Sequence, residues 1–299
     1  MKPTGRFAPS PSGRMHFGNI YTAVLSWLSV KARHGRWILR IEDLDPQRSK
    51  IEYARQIEED LLWLGLEWDE GGIAGKGEHG PYMQSQRHDI YGQYLEKLKA
   101  LGLCYPCHCT RADIMATQAP HESDGRVVYR GTCRPAKLPA EYIETEGAAV
   151  RIAVPDIDIL FDDNIKGLQS FNLTRQCGDF VLRRGDGAWS YQLAVVVDDA
   201  LMGVTEVVRG DDLLLSAAQQ IYLNNLLGFN PPVYAHVPLI CNSEGVRLSK
   251  RDHSYSMDEL RKKHTKEEIL GMVAHSAHII SDPQPLSLNE LLAYVRNFC

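Results

Sequence analysis

Two polar loops, far apart along the chain, carry residue types that could bind and neutralise a phosphate. The first, RFAPSPSGRMHFGN (6–19), is rich in glycine, proline and serine and precedes an apolar pattern of helical spacing. A glycine-rich turn before a helix directs backbone N–H groups and the helix dipole at an anion. His16 stands at the predicted helix start, where its imidazole could donate to a phosphate oxygen. Gly18 would let a flat base or ribose lie on the backbone.

The second loop is GVRLSKRD (245–252), which places Ser249, Lys250 and Arg251 side by side. A compact cationic loop of this kind could neutralise charge on a transferring phosphoryl group. The alternative is a solvated surface loop. Either loop alone is weak evidence for a phosphate site, and the two together are more specific.

A cluster of cysteines indicates a second kind of chemistry. Four of the seven cysteines fall within CYPCHC (104–109) and YRGTC (129–133). In a chain of cytosolic type, clustered cysteines indicate metal ligands or reactive thiols before disulfides. Thiolates at close spacing with a distant fourth partner can complete a tetrahedral zinc site. By spacing alone, Cys104, His108 and His121 are also possible ligands, and free, partly buried thiols are the alternative to a metal site.

The elements that would position these loops alternate between strand and helix. Apolar residues recur at helical spacing after the first loop, Gly35 is a predicted left-handed stop, and RWILRIED (36–43) predicts a strand. Ser49 and Glu52 form a capping-box pattern before a second helix, and 86–102 predicts a third. Strand, helix, strand, helix is typical of a parallel sheet wrapped by helices.

The pattern changes in the second half of the chain. Residues 104–150 lapse into cysteines, prolines and short polar turns, as an inserted subdomain would. Alternating apolar and polar segments resume after it, followed by an amphipathic helix in 212–228 and the strand-like YAHVPLI (234–240). Beyond Arg251 the chain is polar and helical in pattern.

Composition excludes several classes of protein. The 299 residues are 44% hydrophobic and 24% charged, which are globular values, with a formal net charge of −5. That charge argues against a non-specific nucleic-acid coat, which needs broad positive charge. The sequence has neither an apolar run of about 20 residues nor the apolar stretch of a secretion signal. We therefore expect a cytoplasmic protein, and we expect a monomer.

Together the two loops resemble the paired signatures of class I aminoacyl-tRNA synthetases. HFGN (16–19) resembles the His-Ile-Gly-His element, and RLSKR (247–251) resembles the Lys-Met-Ser-Lys-Ser element. Phe17 and Asn19 depart from the first element, and Arg247, Leu248 and Arg251 depart from the second. The resemblance implies ATP with Mg²⁺, and catalysis by His16 and Lys250. The ATP-binding positions that it implies are His16, Gly18, Asn19, Ser249 and Lys250.

The flanking residues resemble the glutamyl/glutaminyl branch of that family. RFAPSPSG (6–13) followed by RIEDLD (40–45) carries this likeness, as do WSYQLAVVVDD and VVRGDDLL further on. The glutamate-binding positions that it implies are Arg6, Ala8, Ser10, Glu42, Tyr191 and Arg209. An arginine fork suits a carboxylate, and a glutamate suits an α-ammonium group. Two arginines favour glutamate over glutamine, because a dicarboxylate needs two cationic partners.

The cysteine pattern and the length resemble one truncated family of this branch, the glutamyl-queuosine tRNA(Asp) synthetases. The likeness implies a structural zinc ion on Cys107, Cys109, Tyr129 and Cys133. Since only 48 residues follow Arg251, we expect two or three helices there and no anticodon-binding domain. The partners implied are ATP, L-glutamate and queuosine-containing tRNA(Asp), with glutamate attached to the cyclopentene diol of the wobble base. Members of that family activate glutamate without tRNA, and we expect the same here.

The fold that these likenesses imply is α/β, with a Rossmann-type parallel sheet, a zinc-binding insertion and a short helical carboxyl-terminal segment. The implied divisions are 1–103 and 151–251 for the two catalytic halves, 104–150 for the insertion and 252–299 for the last segment. Three rival functions remain open. They are a truncated glutamyl-tRNA synthetase charging a tRNA 3′ end, a related nucleotidyltransferase acting on a phosphate compound, and a non-catalytic tRNA-binding relative.

Overall fold

The computed structural model describes residues 2–116, 128–240 and 255–296. In chain order its strands are β1 (Thr4–Phe7), β2 (Arg36–Leu39), β3 (Glu70–Gly71), β4 (Cys104–Cys107), β5 (Ala149–Ile152), β6 (Asp158–Asp163), β7 (Gly167–Asn172), β8 (Phe180–Arg183), β9 (Glu206–Gly210) and β10 (Val233–Val237). Its helices are α1 (Phe17–Lys31), α2 (Ile51–Leu64), α3 (His88–Ala100), α4 (Arg111–Ala116), α5 (Leu173–Gln176), α6 (Tyr191–Leu201), α7 (Leu214–Leu227), α8 (Met257–Lys263), α9 (Lys266–Ser276) and α10 (Leu288–Arg296).

The chain forms two compact units. The first comprises the described residues of Met1–Gln86, Leu201–Leu213 and Pro232–Cys299. The second comprises the described residues of Arg87–Ala200 and Leu214–Pro231. The four segments implied by the sequence cut the chain at other points and stay a prediction.

Parallel strands form the centre of the first unit. β1, β2 and β3 make a parallel sheet in that order, with Arg6 opposite Ile38. β9 pairs in parallel with β10 and lies beside β1, where the Thr205 N–H donates to the Thr4 carbonyl over 2.8 Å. The prediction of an α/β fold with a parallel sheet is therefore confirmed.

Helix α1 follows the predicted apolar periodicity closely. Phe17, Ile20, Val24 and Leu28 are all buried, while Leu25 is half-buried against the same core. The predicted left-handed stop at Gly35 is wrong, because His34 takes the positive φ of 54°. Gly35 is required for a different reason: a Cβ there would clash with the Pro3 carbonyl oxygen.

The start of α2 also differs from the prediction. Lys50, and not Ser49, is the N-cap, and no side chain caps this end. The Ser49 N–H instead donates to the Asp45 carbonyl over 2.9 Å, closing a turn before the helix. The Lys50 N–H donates to the Pro11 carbonyl over 2.9 Å, so a contact with the first loop determines where α2 begins.

The second unit combines antiparallel strands with helices. β4, β5 and β8 form an antiparallel sheet, and β6 and β7 form a hairpin. In its interior, Arg87 donates to the Asp198 carboxylate over 2.6 Å, and the Tyr91 hydroxyl donates to the same carboxylate over 3.0 Å. The Arg87 and Asp198 side chains are 1% and 0% exposed, so a buried ion pair ties α6 to the start of α3.

The predicted helical pattern beyond Arg251 is confirmed over the described residues, where α8, α9 and α10 follow one another. Ile269, Val273 and Leu291 of these helices are buried in the same core as α1. No helix among the described residues combines the length and the apolar character needed to span a membrane.

Removing the carboxylate of Asp198 should strongly destabilise the second unit. We expect Asp198→Ala to lower the free energy of unfolding by about 3–5 kcal/mol, because it leaves the Arg87 guanidinium buried without this partner. Urea denaturation followed by circular dichroism measures the change. Asp186 supplies the control, since its ion pair with Arg184 is exposed and Asp186→Ala should cost about 1 kcal/mol or less. Equal effects of the two substitutions would contradict the prediction.

Candidate active site and candidate metal centre

The first loop is held by backbone hydrogen bonds from three neighbouring segments. The Glu42 N–H donates to the Pro9 carbonyl over 3.0 Å, just beyond β2. The Lys50 N–H reaches the Pro11 carbonyl at the start of α2, and the Met257 N–H reaches the Met15 carbonyl over 2.9 Å. Because its carbonyls are satisfied by other elements, the loop has a defined shape before any ligand arrives.

His16 and Gly18 lie where the loop enters α1. His16 is the N-cap with extended backbone, and the Asn19 side chain accepts a hydrogen bond from its N–H over 3.1 Å. A Cβ on Gly18 would lie 3.1 Å from Cε1 and 3.2 Å from Nδ1 of the His16 ring. Glycine therefore lets the imidazole pack on the first turn of the helix. Contacts of these three residues with ATP stay predictions.

The second loop lies outside the described residues, and with it Ser249, Lys250 and the neighbouring Arg247, Leu248 and Arg251. The described residues resume at Tyr255, and several of those that follow lie against the first loop. Ser256 forms an antiparallel bridge with His16, and the Arg14 Nε donates to the Asp258 carboxylate over 2.6 Å. The segment directly after the second loop is thus anchored beside the predicted catalytic histidine.

Three of the predicted glutamate-binding residues lie in or just after neighbouring parallel strands, towards the carboxyl ends of those strands. Arg6 lies in β1 and Arg209 near the end of β9, and both are buried, at 5% and 4% exposure. Glu42 follows β2, whose neighbour is β1. The carboxyl ends of parallel strands share one edge, which is where α/β proteins place their ligands. That the three side chains bind one small ligand stays a prediction.

A fully buried arginine orients Glu42. Arg40, with 0% exposure, donates from Nη2 to the Glu42 Oε1 over 3.1 Å, and its Nη1 lies 3.9 Å from the Met202 sulfur. This ion pair fixes the direction of the Glu42 carboxylate. The sequence analysis missed Arg40, although a charged residue within the apolar strand RWILRIED is a signal of a buried, paired charge.

Arg209 is also oriented by hydrogen bonds to neighbouring residues, which the sequence patterns did not predict. Its Nε donates to the Nε2 of His236 over 3.1 Å, and its Nη2 donates to the Leu213 carbonyl over 3.3 Å. The guanidinium also lies 5.1 Å from the centre of the Tyr234 ring. Because an arginine Nε–H can only donate, the His236 Nε2 must accept, which makes this imidazole neutral with its proton on Nδ1.

The other predicted glutamate-binding residues are Ala8, Ser10 and Tyr191. Ala8 is half-buried and Ser10 is exposed in the first loop, where the Ser10 carbonyl accepts from the Ser12 N–H over 2.9 Å. Tyr191 begins α6 in the second unit and is half-buried. Their roles stay predictions.

The second unit holds a cluster that could bind a metal ion. The sulfur atoms of Cys107, Cys109 and Cys133 all lie within 4.8 Å of one another. The Tyr129 hydroxyl lies 3.5 Å from the Cys107 sulfur and accepts from the Cys133 N–H over 2.7 Å. Four ligands at Zn–S distances of about 2.3 Å in a tetrahedron place sulfur atoms roughly 3.8 Å apart, so these donors fit such an ion.

The electrostatics of the cluster favour the thiolate form of Cys133 but not that of Cys109. Burial raises the pKa of the Cys109 thiol to about 11. Burial also acts to raise the pKa of Cys133, but hydrogen bonds from the His108 backbone and the neighbouring sulfur atoms outweigh it and lower this pKa to about 7. Since the thiolate is the form that binds metal, the cluster is suited to a cation at neutral pH.

The rival ligands differ in position. Among the described residues, the convergent thiols are those of Cys107, Cys109 and Cys133, and Cys104 is not one of the group. Cys104 starts β4, and burial raises the pKa of its thiol to about 12. The side chain of His108 is exposed, and His121 lies outside the described residues.

Comparisons with known proteins agree with this arrangement. Residues 3–274 match the family model of tRNA synthetases class I (E and Q), catalytic domain. The chain is 46% identical over 295 residues to the glutamyl-Q tRNA(Asp) synthetase of Symbiobacterium thermophilum, covering 96% of this chain and 90% of that protein. It is 45% identical over 290 residues to the glutamyl-Q tRNA(Asp) synthetase of Neisseria meningitidis serogroup C, covering 97% and 92%.

Solved structures show the same fold. A glutamate tRNA ligase from Elizabethkingia meningosepticum, in complex with its amino acid, superposes with a TM-score of 0.80 at 30% identity, covering 98% of this chain. A glutamate-tRNA synthetase from Elizabethkingia anophelis gives 0.81, also at 30% identity and 98% coverage. The chain spans 64% and 65% of the length of those two proteins. The class I synthetase fold predicted from the two loops is confirmed.

A glycine that abuts Tyr129 offers a test of the cluster's packing. Gly178 has a φ of +68°, and a Cβ there would clash with the Tyr129 carbonyl oxygen. Gly178→Ala should therefore displace the Tyr129 backbone and its hydroxyl from the cysteines, in addition to the cost of a left-handed alanine, about 1–2 kcal/mol. Urea denaturation and the rate of thiol modification by an aromatic disulfide measure both effects.

Gly147 provides the matched control. It has the same φ of +68°, but nothing lies within 4 Å of the position of its Cβ. Gly147→Ala should carry the backbone cost alone and leave the reactivity of the cluster thiols unchanged. If both substitutions expose the thiols equally, the contact between Gly178 and Tyr129 does not organise the cluster.

Proposed function

This chain belongs to the class I tRNA synthetase family of the glutamyl and glutaminyl type, and from that premise we propose that it forms glutamyl adenylate from L-glutamate and ATP and transfers glutamate to queuosine in tRNA(Asp). The acceptor rests on one observation, the match to glutamyl-Q tRNA(Asp) synthetases over nearly the whole chain. The choice of glutamate is supported by the residue types of Arg6, Glu42 and Arg209 and by their positions near the carboxyl ends of neighbouring parallel strands.

Glutamate would be held by opposite charges on three sides. Arg6 and Arg209 bind its two carboxylates, and Glu42 accepts hydrogen bonds from its ammonium group. Both guanidinium groups are buried, where a hydrogen-bonded charge pair is stronger than in water. Glutamine would present a neutral amide in place of one carboxylate, and its hydrogen bond to a guanidinium is weaker than that of a carboxylate.

Activation needs positioning and charge neutralisation more than acid–base chemistry. An oxygen of the glutamate α-carboxylate attacks the α-phosphorus of ATP, the bond from that phosphorus to the bridging oxygen breaks, and pyrophosphate leaves. His16 at the N-terminus of α1 stabilises the added negative charge, together with Lys250 of the second loop. Mg²⁺ would enter with ATP and neutralise phosphate charge.

Transfer follows from the adenylate. A hydroxyl of the queuosine diol attacks the glutamyl carbonyl carbon, an ester bond forms, and AMP leaves as the hydroxyl proton is lost. A tRNA synthetase binds a nucleoside with a cis-diol at the acceptor end of its tRNA. A stem-loop that presents the queuosine diol offers a similar nucleophile, which makes this reuse of a catalytic domain chemically simple.

A metal ion bound by this cysteine cluster would have a structural role. We assign zinc to Cys107, Cys109, Tyr129 and Cys133, because three thiols converge there and the Tyr129 hydroxyl touches one of them. Zinc at a closed four-ligand site supplies folding free energy and no reactive position. The ion would tie the segment after β4 to the segment around Tyr129.

The function is tested by following labelled glutamate into two pools of tRNA, one from cells that make queuosine and one from cells that do not. With purified protein, ATP and Mg²⁺, only the queuosine-containing pool should become labelled. Removing the terminal 3′ adenosine from the tRNA should leave this labelling intact, because the wobble base keeps its diol. Equal labelling of the two pools, lost with the 3′ adenosine, would establish 3′ charging instead.

If neither pool of tRNA takes up labelled glutamate, a second assay distinguishes the remaining alternatives. Adenylate formation is followed separately by glutamate-dependent exchange of pyrophosphate into ATP. Exchange without transfer to either pool would reject the tRNA acceptor and keep glutamate as the activated substrate. Absence of glutamate-dependent exchange would favour the nucleotidyltransferase or the non-catalytic alternative.

The hydrogen bond from Arg209 to His236 leads to a prediction for glutamate binding. His236→Leu removes the acceptor for the Arg209 Nε–H, and a lost hydrogen bond to a charged group is worth about 1.5–3 kcal/mol. We expect the KM for glutamate in pyrophosphate exchange to rise roughly 10- to 100-fold, with the KM for ATP little changed. His236→Gln, whose amide oxygen can accept, should recover part of this loss. Equal KM values for glutamate in wild type and His236→Leu would contradict the role.

A further inference from the structure

A buried arginine, Arg151, lies beside the candidate metal site and is not one of the proposed ligands. Arg151 lies in β5, between β4 and β8, and is 6% exposed. Its Nε donates to the Cys107 sulfur over 3.2 Å, and its Cζ lies 3.7 Å from the centre of the Tyr129 ring. Its Nη1 donates to the Asp179 carbonyl over 2.7 Å.

We propose that Arg151 is the charge-compensating residue of this metal site, stabilising the Cys107 thiolate and the Tyr129 phenolate in the metal-bound state. The proposal rests on the metal site assigned above. Three thiolates and one phenolate carry four negative charges, and a divalent cation leaves two of them uncompensated. A net anion in a buried site is costly unless a cation pairs with it. Arg151 supplies that cation.

The geometry suits arginine and not lysine. A guanidinium can stack on an aromatic face and donate from its edge at the same time, as Arg151 does with Tyr129 and Cys107. The bond to the Asp179 carbonyl holds the plane in this orientation before a metal arrives. Hydrogen bonds to metal-binding sulfur atoms tune ligand basicity, and losing such outer partners typically costs 10- to 100-fold in metal affinity.

Metal affinity is the direct test. Purified wild-type protein and variants are stripped of metal, and zinc affinity is measured by competition with a chromophoric chelator. Arg151→Met should weaken zinc binding roughly 10- to 100-fold. Arg151→Lys keeps the charge but loses the stacked fork, and it should fall between Arg151→Met and wild type. Wild-type affinity in both variants would overturn the proposal.

Arg183 provides the matched control in the same unit. It also carries its guanidinium over an aromatic ring, 5.7 Å from the centre of Trp189, but it pairs with Glu144 and not with the cluster. Arg183→Met should bind zinc as wild type does. A loss equal to that of Arg151→Met would mean that removal of any stacked arginine disturbs this unit, and would overturn the specific role.

A spectroscopic measurement separates charge compensation from folding. Zinc binding to the wild type should produce the ultraviolet difference signal of a tyrosinate, and the signal per bound zinc should be smaller in Arg151→Met. If Arg151→Met does not fold by circular dichroism, Arg151→Lys decides the question, and an unchanged tyrosinate signal with unchanged affinity overturns the proposal. Stoichiometric zinc without any tyrosinate signal in the wild type overturns it as well, while a wild type that binds no zinc refutes the metal site itself. Glutamate transfer is assayed separately, so these results are distinguishable from failure of the proposed reaction.

Discussion

The arrangement of the first unit depends on how the loop of residues 8–16 satisfies its carbonyl groups. Proline has no N–H and cannot close a ladder or a helical turn, but its carbonyl still needs a donor. Pro9 and Pro11 receive theirs from Glu42 and Lys50, and Met15 receives its own from Met257. These bonds fix the end of β2, the start of α2 and the start of α8 relative to His16. The loop that we propose to hold ATP is thereby shaped by elements that carry other residues of the proposed site.

The same constraint explains which parts of the fold could be predicted from sequence. The extent of α1 follows from its own apolar spacing, since each buried residue on it can be recognised locally. The start of α2 cannot be recognised locally. Ser49 has the residue type of an N-cap, but the hydrogen bond from the Lys50 N–H to the Pro11 carbonyl determines the boundary. Gly35 was predicted for its conformational freedom, whereas the structure needs its lack of a side chain beside Pro3. Contacts between distant segments decided both cases.

At the site, the sequence identified residues that would touch ligands and missed the residues that hold them. Arg6, Glu42 and Arg209 stand in short motifs of a known family, so their order along the chain carries the information. Arg40 follows β2 directly and pairs with Glu42, two residues further along the chain. His236 and Arg151 are polar residues within mainly apolar strands, and their partners lie on neighbouring strands. A polar residue in such a strand indicates a buried partner, but strand pairing determines which one. That pairing was outside the reach of local patterns.

The supporting contacts also differ between the arginines proposed to act at a site and an arginine of the packed interior. Asp198 neutralises Arg87 directly, so this pair contributes to packing and offers no charge to a ligand. Among the contacts of Arg209 are an imidazole, a carbonyl and a tyrosine ring. Arg151 is likewise held by a carbonyl and a tyrosine ring, and its sulfur partner becomes anionic when a metal binds. Partners of this kind fix the direction of a guanidinium before an anion binds. Because the side chain is ordered beforehand, less conformational entropy is lost when that anion binds.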